Sequence, residues 1–424
     1  MTDIAARVER TYLTLLLGNT LAASFIWGIN TLFLLDAGLS NFQAFAANAF
    51  FTAGMVVFEV PTGVVADTRG RRTSYLLGTV TLAATTVAYW LLWVEHGAFW
   101  LWAVVSVLLG LGFTFFSGAV EAWLVDALHA AGYDGTLERV LGRGQVVSGV
   151  AMLAGSVLGG VVAQVTNLGV PFLLRGGVLV VMFAVAWRLM HDEGFDRAPS
   201  TGALRNARVI LSASIEHGLR NPPVRWVMLS APFTVGVGFY VFYALQPLLL
   251  ELYGDPHAYT IAGLAAALVA GAQVVGGLAA PAVRGLLRRR TSALMLGTGV
   301  SCAALALLGW LDSFPAALVL MGLWSLVSAA VMPIRQAYLN DMIPSRQRAT
   351  VLSFDSLVGN VGGVVVQPAL GRTADVHGYG GSLIAGAAVQ LLAIPAFAIS
   401  RSYRASADLR AAAPGAPAPT GAPD

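Results

Sequence analysis

The sequence predicts an all-α membrane protein with about twelve transmembrane helices in two halves of six, and three observations support this prediction. Of the 424 residues, 57% are hydrophobic and only 11% are charged, whereas soluble domains contain about 25% charged residues. The apolar residues form long segments, and a helix needs about 20 mainly apolar residues to span a bilayer. Arginine residues recur in alternate connections between these segments.

The predicted spans follow one another with short connections. In chain order they are residues 12–36, 42–66, 74–94, 98–125, 140–165, 170–190, 224–250, 259–282, 292–311, 314–338, 348–370 and 380–400. Each is a continuous apolar run, unlike the alternating strands of an outer-membrane barrel. The first is too long and polar for a signal peptide, and no small-residue cleavage site follows it, so it is predicted to be a span.

The arginine residues predict the orientation. They lie near the N-terminus, after the even-numbered spans and near the C-terminus, while Arg175 and Arg372 are the main exceptions. Cytoplasmic loops of membrane proteins carry an excess of basic residues. We therefore expect both termini to be cytoplasmic and the protein to be a multi-pass component of the inner cell membrane.

A polar stretch in the middle of the chain divides the spans into two groups. The predicted domains are an N-terminal six-helix bundle (1–190), a cytoplasmic linker (191–223), a C-terminal six-helix bundle (224–402) and a disordered cytoplasmic tail (403–424). Within the linker, residues 205–220 carry an apolar stripe at helical spacing, formed by Ile210, Leu211, Ile215 and Leu219. This pattern predicts an amphipathic helix at the membrane surface.

The connection between the second and third spans carries a motif, with Gly63, Asp67, Gly70, Arg71 and Arg72 at fixed spacing. It resembles the loop Gly-x-x-x-Asp-Arg-x-Gly-Arg-Arg/Lys of the major facilitator superfamily of secondary transporters. The segment 117–126 in the fourth span and the segment 340–350 before the eleventh resemble bacterial members too. The resemblance covers about residues 10–402, and it implies the major facilitator fold and transport by alternating access. Thr68 departs from the pattern, which usually has Arg there.

The resemblance also implies a gate. Asp67 would face the positive N-terminus of the eleventh span near Ser345, and Arg71 would reach Asp126 at the end of the fourth span. Gly63 would let another helix approach closely. Such contacts would hold the two halves together when the outside is open and break when the inside opens. The alternative is that these arginines only fix the topology.

Acidic residues inside the predicted spans are candidates for proton coupling, because charges in the membrane are costly and commonly functional. The candidates are Glu121, Asp355 and Glu59, and Arg335 is a possible ion-pair partner of Asp355. Burial disfavours the charged form of an acid, which suits reversible protonation. The alternative is that each acid forms a structural pair with a nearby arginine such as Arg139 or Arg143.

Polar and aromatic residues of the first and seventh spans are candidates for lining a substrate cavity. They are Trp27, Asn30, Tyr240, Tyr243 and Gln246. Mostly apolar walls with a few polar groups suit a bulky amphipathic molecule, although ordinary helix packing would use the same residue types. In the fifth span, residues 155–160 resemble the glycine-rich antiporter motif of drug exporters, with Ser156 in place of Pro.

These patterns predict proton-coupled efflux of small amphipathic compounds, a drug or a metabolite. The alternatives are a proton symporter or facilitator that imports a nutrient, a non-transporting sensor and a membrane enzyme. No phosphate-binding loop with Gly-Lys-Ser/Thr is present, so we expect the proton gradient and not ATP as the energy source. We expect no cofactor, no metal, no nucleic acid and no enzymatic activity. The expected partners are a small-molecule substrate and the lipid bilayer, with the chain as a monomer.

Overall fold

A computed structural model describes residues 3–116, 118–195, 212, 215–287, 289–344 and 347–409. Within these ranges the chain is almost entirely helical, and no strand is formed. An isolated β-bridge joins Arg289 to Leu409. The prediction of an all-α protein is therefore confirmed for the described part of the chain.

The helices before the central segment form the N-terminal group. They are α1 (Asp3–Trp27), α2 (Asn30–Asp36), α3 (Asn41–Arg69), α4 (Arg71–Val94), α5 (Phe99–Thr114), α6 (Ala119–Ala130), α7 (Leu137–Val165) and α8 (Val170–Leu189). The predicted first span is thus broken, with α1 and α2 bent by 48°. The predicted fourth span is broken as well, beside Gly118, whose φ of +69° is a conformation that glycine adopts without steric cost.

The helices after the central segment form the C-terminal group. They are α9 (Pro222–Tyr253), α10 (Tyr259–Leu286), α11 (Arg290–Trp310), α12 (Phe314–Met342), α13 (Arg348–Leu391) and α14 (Ala393–Ser402). Within α13, Gly378 has φ 72° and ψ 175°, which is not helical. The chain there consists of two helices joined end to end, and the break falls between the predicted eleventh and twelfth spans.

In the described part of the chain, ten helices are long and apolar enough to cross a membrane, or eleven if the bent pair α1 and α2 forms one span. One of the ten is the 53-residue segment Thr350–Ser402. A straight helix of that length would measure about 80 Å, against about 30 Å of bilayer hydrocarbon. The break at Gly378 divides this length into two.

The linker and the tail are described only in part. Most of the predicted amphipathic helix at 205–220 lies outside the described residues, and the structure describes a π-helical turn at Ile215–Leu219. Residues 403–409 of the predicted tail are held against α11. There the buried Asp408 accepts hydrogen bonds from the backbone N and the hydroxyl of Thr291, at 2.8 and 2.9 Å. An acid at a helix N-terminus is favourable, because backbone N–H groups point at it.

The two groups meet mainly where α3 packs on α13 and α7 packs on α10. We call the end of the bundle where α3 ends and α4 begins the arginine face, because Arg71, Arg72, Arg143 and Arg290 lie at helix termini there. The other end, where α3 and α10 begin, is the opposite face. The contacts between the groups define the candidate site.

Candidate functional site

The connection between α3 and α4 forms an ion cluster on the arginine face. Arg71 Nη1 lies 2.5 Å from Asp67 Oδ1, and Arg71 Nε lies 3.9 Å from Asp126 Oδ2. Arg71 and Asp126 therefore meet, as the resemblance implied, while their role in gating stays a prediction. The cluster joins α3, α4 and α6, which all belong to the N-terminal group. Both acids are partly exposed, so each pair contributes about 1 kcal/mol or less.

Asp192, which follows α8, completes this cluster, although no motif in the sequence indicated it. Its Oδ1 accepts a hydrogen bond from the backbone N of Arg72 at 2.9 Å. Arg72 Nη2 donates to the Trp187 carbonyl at 2.6 Å, and its guanidinium lies 4.9 Å from the Trp187 ring centre. Gly70 has φ +105°, and a Cβ there would lie 2.2 Å from the Asp192 carboxylate. The motif therefore needs glycine at position 70 for both its backbone conformation and its contact with Asp192.

Gly63 faces open space on the arginine face. Within the described part of the chain, a Cβ at this position would meet no atom within 4 Å, and the residue is exposed. The expected close approach is therefore not made by any helix that the structure describes. Asp67 contacts Arg71, and the predicted contact near Ser345 lies outside the described residues.

Replacement of Gly63 by leucine should trap the present conformation. The larger side chain fits here without a clash, but it would obstruct a helix that approaches α3 when the arginine face closes. We expect transport to fall at least about tenfold with unchanged thermal stability, because a shift of about 1.4 kcal/mol changes an equilibrium tenfold. The matched control is Gly177→Leu on α8, where a Cβ also meets nothing within 4 Å. Equal transport by the two variants would contradict the gating role of Gly63.

The opposite face is closed where α7 crosses α10. A Cβ built on Gly263 would lie 2.6 Å from the Ser156 carbonyl oxygen and 3.0 Å from the Gly160 Cα. A Cβ on Gly159 would lie 2.0 Å from the carbonyl oxygen of Phe25. The glycine-rich segment of the fifth span thus packs α7 on α1 within its own group and on α10 across the two groups. Small residues permit such close helix approach in membrane proteins.

A second closure on this face joins α3 to α13. The carboxylate of Asp375 accepts hydrogen bonds from the backbone N of Asn41 at 2.9 Å and of Phe42 at 3.0 Å. These N–H groups belong to the first turn of α3, where a negative charge is stabilised. The Phe45 ring packs on Tyr240 of α9, with ring centres 4.6 Å apart. The two groups are therefore in contact at the opposite face, whereas Gly63 on the arginine face is open.

Three of the five cavity candidates contact protein and are not among the wall residues of the cavities described below. Gln246 donates to the Trp27 carbonyl at 2.6 Å and accepts from the Thr31 backbone N at 2.9 Å. It thereby satisfies backbone groups that the break between α1 and α2 leaves without helical partners. Asn30 donates to Asn48 at 3.0 Å, and the buried Tyr240 shares a hydrogen bond with Ser382.

The remaining two candidates, Trp27 and Tyr243, line a cavity that we call the larger cavity. This cavity has a volume of about 630 Å³ and is formed mainly by the C-terminal group. Its walls also carry Phe239, Phe242 and Trp324. Tyr240 and Tyr243 do not share a role, although they are three residues apart, because only Tyr243 points to this space. The wall combines aromatic and other apolar residues with several polar groups, among them Gln273, Arg335 and Gln390, and such a wall is typical of a small-molecule site.

The smaller cavity lies within the N-terminal group and contains two opposite charges. Its volume is about 270 Å³, and its walls include Asn19, Glu121 and Arg175. Arg143, which the sequence offered as a structural partner of Glu121, instead pairs with the buried Glu9 at 2.5 Å. Among the described residues, no basic group lies within 4.0 Å of the Glu121 carboxylate. Glu121 is therefore an exposed acid on a cavity wall, a position that suits proton exchange.

Asp355 has a different environment. Its two carboxylate oxygens accept hydrogen bonds from Arg335 Nη1 and Nη2 at 2.6 and 2.7 Å, and both residues are buried. Arg335 Nη2 also donates to the Val227 carbonyl at 3.1 Å. The two side chains thus form a bidentate pair between α12 and α13, as the spacing suggested. The third candidate, Glu59, is half-buried on α3 and lies outside the walls of the two cavities.

The comparison with protein families identifies the chain. The family model described as Major Facilitator Superfamily matches residues 12–366, with a further match at 257–420. The chain belongs to the major facilitator superfamily. Members of this superfamily are membrane transporters and not generally enzymes. A comparison with curated protein sequences finds no significant match.

Solved structures of other transporters share the fold at low sequence identity. A crystal structure of the nucleoside transporter NupG superposes with a TM-score of 0.78 at 10% identity, covering 95% of this chain and 100% of NupG. An inward-facing, unoccupied bacterial homologue of the lysosomal transporter Spinster gives 0.74 at 14%, covering 97% and 100%. A D-xylose–proton symporter gives 0.65 at 16%, covering 94% and 97%. At these identities the likeness concerns the fold and leaves the substrate open.

Proposed function

We propose that this superfamily member is a proton-coupled secondary transporter of small amphipathic compounds that works by alternating access. The observation that supports the proposal is the difference between its two ends. The two helix groups touch at the opposite face through Gly263 and Asp375, and the α3 surface at Gly63 is open on the arginine face. Access to the cavities from alternate sides requires the contacts at the opposite face to open when helices close against α3 at the arginine face.

The proposed topology has twelve spans in two bundles of six, with α1 and α2 as one broken span and with Gly378 between the last two. Basic residues at the arginine face support its placement on the cytoplasmic side of the inner cell membrane. The domains would be residues 1–190 and 224–402, joined by the linker 191–223 and followed by the tail from 403. We propose a monomer that uses the proton gradient without ATP or a bound cofactor.

Two directions of transport are proposed. Efflux by proton antiport is supported by the large aromatic cavity and by the packing glycines of the fifth span, which resemble the exporter motif. Import by proton symport is the second candidate, and the pair of opposite charges in the smaller cavity favours it. The sign of proton movement and the direction of flux in cells distinguish the two.

Glu121→Gln should uncouple substrate movement from proton movement. The amide cannot release a proton, and the residue lines a cavity without an arginine partner within 4.0 Å. In inverted vesicles with an imposed proton gradient, addition of substrate should change the internal pH for the wild type and not for the variant. The control is Glu138→Gln, at an acid in the first turn of α7 that lies outside this cavity. Unchanged proton movement by Glu121→Gln would exclude it as the proton carrier.

A panel of structurally different amphipathic compounds, tested for toxicity in a drug-sensitive host, would test efflux. Expression of the protein should raise resistance to at least one compound and lower its accumulation in cells. Increased accumulation of a nutrient would instead support the import alternative. Neither effect, together with the absence of proton-linked movement in vesicles, would contradict the proposed function.

A further inference from the structure

Arg175 is a buried cation without an acidic partner. It lies in the second turn of α8, and only 6% of its surface is exposed. Its Nε has no hydrogen-bond partner, and in the described part of the chain none of its nitrogen atoms lies within 4.0 Å of a carboxylate oxygen. Arg335 provides the contrast: its Nε is also without a partner, but its other nitrogens make two hydrogen bonds to Asp355 and one to Val227. Arg175 therefore lacks the counter-ion that Arg335 has.

A permanent charge in this position is expensive. Arginine stays protonated in proteins, and an uncompensated charge in a membrane segment is strongly disfavoured. Such residues face the interior of a bundle and commonly mark the path of a ligand. Arg175 fits this description, because it lines the smaller cavity in the same wall as Asn19 and Glu121.

The two cavities lie next to one another along α1. Ala23 lines the smaller cavity and Trp27 lines the larger one, and four residues of a helix rise about 6 Å. Tyr243 belongs to the wall of the larger cavity, together with Phe239, Phe242 and Trp324. A ligand held by Arg175 in the smaller cavity therefore has beside it a second cavity with several aromatic side chains. The larger cavity also contains Arg335, whose charge is paired with Asp355.

We propose that Arg175 binds the carboxylate of an amphipathic organic anion whose apolar part occupies the larger, aromatic cavity. This inference rests on the proposed transport function and names the class of its substrate. The planar guanidinium presents paired N–H donors that match the two oxygens of a carboxylate, and charge-assisted hydrogen bonds of this kind are strong. A bound carboxylate would supply the missing counter-ion. The aromatic wall would bury the rest of the molecule.

The same cavity contains Glu121, and its charge affects the bound anion. An ionised Glu121 repels a carboxylate, whereas a protonated Glu121 does not. Proton binding and anion binding therefore favour one another, so both are expected to be carried in the same direction. An anionic substrate consequently supports the symport alternative over antiport.

The test compares three probes that share one apolar part and differ in charge. They are 4-phenylbutyrate, its neutral amide 4-phenylbutanamide and the cation 4-phenylbutylamine. Binding to the purified full-length protein is followed by the fluorescence of its tryptophans, of which Trp27 and Trp324 line the larger cavity. We expect the wild type to bind the anion at least about tenfold more tightly than the amide or the cation. That ratio corresponds to about 1.4 kcal/mol.

The Arg175→Gln variant should lose this preference and bind the anion and the amide within about twofold of each other, whereas Arg175→Lys should retain part of it. The matched control is Arg188→Gln, at an exposed position on the same helix, which should keep the full preference. Elution of each variant as a single species by size exclusion verifies folding, and the lysine variant keeps the test valid if Arg175→Gln does not fold.

Three results would overturn the proposal. They are equal affinity of the wild type for the three probes, no binding of 4-phenylbutyrate, and an anion preference that survives in Arg175→Gln. In the last case, Arg175 would serve only as a counter-charge to Glu121 in another conformation. Proton-linked transport in vesicles without an anion preference would overturn this inference alone. An Arg175-dependent anion preference without transport would instead overturn the proposed function.

Discussion

Replacement of Gly263 by valine should prevent the opposite face from closing and should nearly abolish transport. The Cβ alone would lie 2.6 Å from the Ser156 carbonyl oxygen and 3.0 Å from the Gly160 Cα, and valine adds two methyl groups to it. Both neighbours are backbone atoms of α7, so no side chain can rotate away. Overpacking of this kind costs about 1–3 kcal/mol. This cost applies only to the conformation in which α7 and α10 touch. The equilibrium between the closed and the open form of the opposite face should therefore shift about fivefold to a hundredfold towards the open form.

The shift is measurable by the reactivity of one cysteine. Phe45 is fully buried between α3 and α9 in the present conformation. A Phe45→Cys reporter, with Cys302→Ser to remove the native thiol, should react slowly with a polar maleimide and faster once Gly263→Val is added. The control is Gly299→Val on α11, where a Cβ meets nothing within 4 Å. Equal reporter reactivity with either valine, together with normal transport by Gly263→Val, would contradict closure through this glycine.

The fold was predictable from the sequence because the bilayer imposes simple rules on it. Continuous apolar runs must become helices in a membrane, since every backbone polar group needs an internal partner. The meeting of Arg71 with Asp126 was also predictable, because both residues belong to short motifs at helix ends. Local rules therefore located the helices and one ion pair.

The breaks inside helices were not predicted, because their stability depends on distant residues. The bend between α1 and α2 leaves backbone groups without helical partners, and Gln246, more than 200 residues away, satisfies two of them. The sequence placed Gln246 in a substrate cavity because it is polar and lies within a span. No local pattern shows that its amide is used by the backbone of another helix.

Arg175 was missed for a related reason. Its sequence position, near the start of the sixth span, places it close to a loop, so it was counted as an exception to the basic-loop pattern. The structure shows it facing inward on α8, 6% exposed and in the wall of the smaller cavity. The absence of an acidic partner is a property of the packed bundle. A buried arginine in a span is the signal that could have identified it.

The glycines show how one residue type serves both ends of the molecule. Gly263 and Gly160 are already in close contact across the two groups, whereas a Cβ on Gly63 would meet no described atom within 4 Å. In alternating access, the contact at Gly263 would open while another helix packs against Gly63. Leucine at position 63 and valine at position 263 should therefore both stop transport but leave the protein in opposite conformations. The Phe45→Cys reporter should stay unreactive in the first variant and become reactive in the second.

Asp355→Asn should destabilise the protein strongly, and this distinguishes Asp355 from Glu121. The Asp355 carboxylate makes two hydrogen bonds to Arg335, and both side chains are about 10% exposed. Removal of one partner of a buried ion pair leaves an uncompensated charge and costs about 3–5 kcal/mol. We therefore expect a lower thermal unfolding temperature in detergent for Asp355→Asn. Glu121→Gln should leave this temperature unchanged, because Glu121 has no ion-pair partner among the described residues.

The control for this prediction is an ion pair between similar groups at the surface. Arg290 Nη1 lies 2.6 Å from Asp341 Oδ2, but the Asp341 side chain is 53% exposed, so Asp341→Asn should cost about 1 kcal/mol or less. The double replacement Arg335→Met with Asp355→Leu should recover much of the lost stability, since apolar groups can replace a buried pair without leaving a charge. A different result would contradict this prediction: Asp355→Asn is as stable as Asp341→Asn and loses proton coupling. In that case Asp355 carries the proton, and its pair with Arg335 does not stabilise the fold.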